Sequence, residues 1–337
     1  MKDMNSTACW LTEADVAHCV PMDDAIDALE RNLIEIAEGA AFNVPKVLGQ
    51  LGGGDAMHAL SSASPRVGVC GFKTWVHTRQ GAKAVFALFS TENGSLLAMM
   101  EANTLGQLRT AAMTALGTRW LAPAAAGDLA IVGTGKQAIA QVHAMNVVRP
   151  LRRVRIWSPS AESRQAFVEK VRTGLPQAEV IDSASLEAAT DGAEMVTLVT
   201  RATEPFFRAG MLAPHAHLNA VGAILPTHAE FFPDVFARAR AVVVDDIDNA
   251  RRGSRELREH YGAEAQEWTG LQALSDVIRE GQFSATGSGD ITLFKAMGMG
   301  LSDLAIAALA YQRAGADPGS TRTVPLTAPA PIQWTRG

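Results

Sequence analysis

The placement of apolar residues changes its period several times along the chain. Through the first fifty positions it is helical, with "TEADVAHCVPMDDAIDALERNLIEIAEG" (12–39) repeating apolar residues at three- and four-residue intervals. From 44 to 100 the pattern shortens. "VPKVLGQL", "MHALSSAS", "RVGVCGFKTWVHT", "KAVFALFS" and "SLLAMME" are β-prone runs separated by Gly, Ser, Asn and Pro. Residues 105–121, "LGQLRTAAMTALGTRWL", return to a helical pattern, and "APAAAG" (122–127) reads as a hinge. Beyond it come six compact apolar runs, at 129–132, 153–157, 178–181, 195–199, 216–221 and 241–245. Buried runs separated by helical or loop segments predict βαβ units and a doubly wound parallel sheet. The stretch 291–314, "ITLFKAMGMGLSDLAIAALAYQRA", predicts one long helix, and the Pro/Thr-rich tail from 316 reads as peripheral.

The first strand–helix junction of the βαβ region carries "IVGTGKQAIAQVHAM" (131–145). A strand precedes its glycines, a helix follows, and another strand arrives at 153, which is the setting a dinucleotide cradle requires. Gly133 makes the tight turn, Gly135 lets the backbone approach a pyrophosphate, and Ala138 allows close helix–strand packing. The helix start then presents free N–H groups to the phosphates. At the tip of the second strand an NAD site wants a carboxylate for the ribose 2′-hydroxyl. "IWSPSAESR" supplies Ser158, Ser160 and Arg164 instead, with Glu162 the one acid within reach. Hydroxyls and a cation suit a 2′-phosphate, so NADP(H) is favoured over NAD(H).

Composition narrows the partners. The 337 residues fit two domains, and 47% hydrophobic with 19% charged residues is a globular balance. A formal charge of −5 without a basic block gives no electrostatic case for nucleic acid or an anionic membrane. Ser302 and Asp303 break the apolar run 297–310, which therefore reads as a core helix, and scattered acids near the N-terminus do not suit a signal peptide. Three cysteines without CxxC spacing suit reduced thiols in the cytoplasm. His215 and His217 alternate on one expected strand but lack a third ligand, so no metal is expected. "TGSGD" (286–290) reads as a helix cap and "RRGSRELREHYG" (251–262) as a solvated charged face.

Six ordered motifs together resemble the ornithine cyclodeaminase/mu-crystallin family: "GFK" (71–73), "LRTAAMTALGTRWLA" (108–122), "IVGTGKQA", "NAVGA" (219–223) followed by Pro226 and Glu230, "VVVDD" (242–246) and "ITLFK" (291–295). The resemblance implies a homodimer in which a Rossmann-type domain (125–287) is inserted into a discontinuous α+β substrate-binding and dimerisation domain (1–124 and 288–337). It implies hydride transfer between a nicotinamide and the α-carbon of a small imino or amino acid. On matching motifs, Arg109 and Lys73 are the implied catalytic pair: Arg109 grips the carboxylate, and Lys73 binds it and can donate a proton. Lys46 stands where the family has an arginine. Met57, with His58 beside it, and Met297 match substrate contacts. Thr134, Gly135, Lys136, Gln137, Thr200, Asn219, Ala220 and Val221 match cofactor contacts, although Lys136 can equally point to solvent.

One departure bears on the substrate. Cyclodeaminases carry an acid where this chain has Ile224, followed by Leu225. An isoleucine cannot move a proton, and a charged δ-amine buried against it without a partner is costly. The expected activity is an NAD(P)H-dependent imine (ketimine) reductase acting on a small α-imino acid, open-chain or cyclic, such as 1-pyrroline-2-carboxylate. An ornithine cyclodeaminase or amino-acid dehydrogenase, and a crystallin-like ligand binder without turnover, stay as alternatives.

Overall fold

The computed structural model describes residues 7–53, 55–262, 268–316 and 322–327. The chain begins with β1 (Thr7–Leu11), α1 (Glu13–Cys19) and α2 (Met22–Ala37). Thr12 and Asp15 cap α1 reciprocally, each side chain meeting the other's backbone N–H. Then follow β2 (Phe42–Gly52), β3 (Asp55–Ser64), β4 (Val69–Thr78), β5 (Gly81–Ser90), β6 (Leu96–Glu101) and α3 (Asn103–Leu121). The second region runs β7 (Asp128–Val132), α4 (Ala138–Val148), β8 (Arg153–Trp157), α5 (Ala161–Gly174), β9 (Glu179–Asp182), α6 (Leu186–Thr190), β10 (Met195–Leu198) and β11 (His217–Ala220). It continues through α7 (Asp234–Arg238), β12 (Ala239–Val244), α8 (Ile247–Gly253), α9 (Arg255–Tyr261), β13 (Leu271–Ala273), α10 (Leu274–Glu280) and β14 (Ile291–Lys295). The chain returns through α11 (Gly300–Ala316) and β15 (Arg322–Pro325).

Two sheets result. One has the order β15-β1-β6-β5-β4-β3-β2, and the other β13-β12-β14-β11-β10-β7-β8-β9. Every ladder of the second sheet is parallel. Each residue of β7, β10, β11 and β14 is buried, as expected of strands covered on both faces. The strand order reverses between β8 and β10 on either side of β7, so the switch point lies over the ends of β7 and β10. The six runs read from the sequence are β7, β8, β9, β10, β11 and β12 to within about two residues.

Some expectations change. The stretch 291–314 is not one helix: Ile291–Lys295 is a central strand of the parallel sheet, and the helix starts at Gly300. The chain after 287 is therefore not all part of the first region, because β14 hydrogen-bonds between β11 and β12. "TGSGD" does not cap that helix; Asp290 pairs with Arg238 and accepts the His215 N–H. The opening segment contributes a strand, β1, beside its helices. The tail is peripheral as far as it is described: it adds β15 as an exposed edge strand antiparallel to β1, and residues beyond 327 lie outside those described.

The helix α3 joins the regions. Every residue from Ala111 to Thr118 is buried, so the helix is enclosed on all sides, with α2, α4, α11 and β14 packed around it. Gly117 lies against the ring of Phe294, where an added Cβ would come within 2.6 Å.

Candidate active site

The glycine turn sits at the switch point. Gly133 has φ +110°, and a Cβ there would meet the Val199 carbonyl oxygen at 2.7 Å, so both backbone and space demand glycine. At Gly135 a Cβ would meet nothing within 4 Å, so the backbone faces open cleft. Ala138 is fully buried where α4 approaches the sheet. Two cavities meet here, of about 250 and 580 Å³, sharing Gly135, Lys136, Val199, Thr200 and Arg201. The larger extends past Gly133, Thr134, Trp157, Ser158, Pro159 and Ser163. The smaller runs past Gln137, Val221, Gly222 and Ile224 to Arg109 and Met297. Two cavities joined over a glycine turn fit the two halves of a dinucleotide, and the buried Gln137 Oε1 has no hydrogen-bond partner among the described residues.

The loops around the smaller cavity are tied by one carboxylate. Glu230 is fully buried; Oε1 accepts the Thr200 N–H (2.7 Å) and hydroxyl (2.8 Å), and Oε2 accepts the N–H of Gly222 (2.8 Å) and Ala223 (3.2 Å). The buried Lys295 Nζ donates to the Ala223 carbonyl at 2.7 Å and to Glu256 at 3.2 Å, so Glu256 is not part of a solvated face. These bonds fix the segment that presents Ile224, which is 39% exposed and lines the cavity.

On the opposite side Arg109 lines the smaller cavity, and a cluster of charged side chains lies around it. Lys73 on β4 is buried, and its Nζ donates to Asp303 Oδ1 at 3.0 Å. The Nε of Arg109, on α3, lies 3.4 Å from the same oxygen. Asp303 enters from α11 with its side chain fully buried. Lys46 and Lys73 lie 5.8 and 5.4 Å from the centre of the Trp75 ring, which His58 covers in a parallel stack at 4.5 Å. Burial lowers the Lys73 pKa and Arg109 lowers it further, while Asp303 raises it. Lys46 is lowered by burial and then by Arg109 and Lys73, and His58 by burial and then by Lys46 and His77.

Not every expected site residue faces the cleft. Met57 alternates to the outer face of the sheet, where it pairs with Val76 and is 52% exposed; His58 takes the inner face. The Asn219 side chain is buried beneath the cleft, bonded to Thr118 and His217, and Ala220 is buried with it; Val221 alone of the three lines the cavity. Ser160 caps α5 by accepting the Ser163 N–H. Arg164 is held by Asp182 and by the Ser158 carbonyl, so it is not a free cation at the tip of β8. Nor do His215 and His217 share a strand face. His215 sits in a turn at φ +62°, and His217 is buried in β11, where burial depresses its pKa to about 4. Among the described residues no group of three His, Cys, Asp or Glu side chains could hold a metal ion, and no helix is long and apolar enough to cross a membrane.

Three participants were not singled out from the sequence, although Asp245 lies within the "VVVDD" motif. Asp303 was visible only as a break in an apolar run, although a carboxylate in a core helix must be paired. Trp75 follows Lys73 at the spacing that keeps both on one strand face. Asp245 lines the smaller cavity, and burial lifts its pKa to about 6, but its oxygens already accept the N–H groups of Asp246, Met297 and Gly298.

The sequence matches the ornithine cyclodeaminase/mu-crystallin family over residues 7–317. The chain belongs to that family. It is 31% identical to the ketimine reductase mu-crystallin of Rattus norvegicus over 234 residues, covering 68% of this chain and 69% of the relative. It is 27% identical to a Delta(1)-pyrroline-2-carboxylate reductase of Bacillus cereus over 231 residues, 68% of this chain and 70% of that one. Its fold superposes on an archaeal alanine dehydrogenase dimer with bound NAD at a TM-score of 0.85 and 24% identity, covering 94% and 99% of the two chains.

Proposed function

We propose that the protein is an NAD(P)H-dependent reductase of a small α-imino acid, with a cyclic ketimine such as 1-pyrroline-2-carboxylate as the test substrate. The observation that carries this reading is the cluster of Lys46, Lys73 and Arg109, whose Arg109 lines the same cavity as Ile224 at the end of the dinucleotide cleft. The substrate carboxylate meets Arg109 and Lys46, and its hydrocarbon body packs against Ile224 and Met297. Gly133, Gly135, Lys136, Gln137 and Thr200 would hold the cofactor, and when bound the reduced nicotinamide supplies the hydride for the imine carbon. Lys73 Nζ gives the proton that the nitrogen gains in the same reduction. Asp245 does not replace the acid missing at Ile224, because backbone N–H groups occupy both its oxygens; ornithine cyclodeamination is therefore disfavoured.

Asp182 ties down Arg164, and this removes the cation on which the preference for NADP(H) rested. Our reading of the cofactor is accordingly NAD(H), as in the structurally similar alanine dehydrogenase. The outer face of β2, β3 and β4 exposes Val47, Met57, Phe72 and Val76 together, and a second copy of the chain is the partner we assign to it. Steady-state assays with NADH or NADPH and pyrroline- or piperideine-2-carboxylate test the activity. Turnover is expected; tight cofactor binding without turnover on any imino acid would favour a ligand-binding role instead.

A further inference from the structure

Every bond to Glu230 is made, but Asp303 is not in that state. It is fully buried at the start of α11, yet among the described residues Oδ2 has no hydrogen-bond partner, and neither has the neighbouring Arg109 Nε. The hydrogen bond its side chain makes among the described residues comes from Lys73, 230 residues away in sequence. The space for that contact is built in on a third element: a Cβ on Gly106 of α3 would come within 2.8 Å of Lys73 Nζ. Three elements are thus shaped around a single ammonium–carboxylate contact beside the cavity.

The electrostatic surroundings make that contact consequential. Lys73 is faced by Arg109 from α3, Lys46 from β2 and His58 across Trp75 from β3; Glu13 of α1 adds a weaker attraction. Burial and the neighbouring cations favour the neutral amine, and Asp303 is the principal force in the other direction. A neutral Lys73 has no proton to give an imine nitrogen.

We propose that Asp303 is a positioning residue for the reduction: it keeps Lys73 in its ammonium form and directs its Nζ toward the nitrogen of the bound imine. The proposal rests on the reductase reading above for its catalytic consequence, but not for its electrostatic one. Because Asp303 raises the Lys73 pKa, its contribution is present at low pH and is lost as pH rises through that pKa. Replacing it with a neutral residue moves the loss to lower pH.

The test compares wild type with Asp303→Asn and with Asp303→Ser, which leaves room for a water beside Nζ. Competitive labelling of lysines with acetic anhydride across the pH range, read on the Lys73 peptide by mass spectrometry, gives the Lys73 midpoint without any substrate. The midpoint is expected to fall by about 1–3 pH units in either variant. The basic limb of imine turnover should fall with it, while NADH affinity, read by nucleotide fluorescence, stays within about twofold. An unchanged labelling midpoint in a folded variant would overturn the proposal. A shifted midpoint with no imine turnover in wild type would retain the electrostatic role and reject the reductase reading. Should neither variant fold, the wild-type curve decides: Lys73 must still be protected as an ammonium at pH 7, and free-amine labelling there contradicts the proposal.

Discussion

The two walls of the cleft are built on different principles. On the parallel-sheet side the chemistry is done by backbone: Gly133 and Gly135 open the turn, and Glu230 pins the loops after β10 and β11 through four hydrogen bonds. On the other side, side chains from β2, β4, α3 and α11 bring three cations and one carboxylate together. A satisfied network holds one shape. The charged wall is left with unpaired polar atoms and surplus positive charge, and so is poised for an anionic ligand. If this division is correct, substitutions in the charged wall should affect turnover and leave nucleotide binding alone, and those in the backbone wall should do the reverse.

The largest effect should follow Lys73→Met. Turnover is expected to fall about 10²–10⁴-fold, the range for losing a general acid, with the NADH dissociation constant unchanged in a fluorescence titration. Gly106→Ala comes next: the methyl group displaces Nζ without removing it, and a shift near 1 Å should lower kcat by about 10²-fold. On the opposite wall, Glu230→Gln removes charge-assisted bonds worth about 1.5–3 kcal/mol. It should weaken NADH binding by roughly tenfold or more, with a smaller change in the KM for the imino acid. Equal effects of Glu230→Gln on both ligands would erase the distinction between the walls. The smallest effect is expected from Arg164→Ala: because Asp182 holds the guanidinium, the ratio of kcat/KM for NADPH and NADH should move by less than about twofold.

How much of this was legible in the sequence follows the same division. The six strands from β7 to β12 were readable because a doubly covered strand is apolar throughout and turns interrupt it. The glycine turn was readable because its constraints are local. β14 was not: its "ITLFK" and the apolar helix α11 are separated only by residues 296–299 after Lys295, a link that includes Gly298 at φ +85° and is too short to show as a loop in the sequence. Met57 was misplaced by one residue of strand parity, which is enough to move a side chain to the other face. Arg164 was read as free because its partner Asp182 lies on the next strand. Asp303 could be singled out as an acid in an apolar helix, but its pairing with Lys73 joins two distant segments, which no local pattern encodes.

The central claim is that this cleft delivers hydride to the α-carbon of an imino acid. The direct measurement is turnover of 1-pyrroline-2-carboxylate with NADH deuterated at C4 on the transferred face. Mass spectrometry should find one deuterium at the α-carbon of the proline formed. Proline without deuterium, or ammonia released from ornithine in place of imine reduction, would contradict the account.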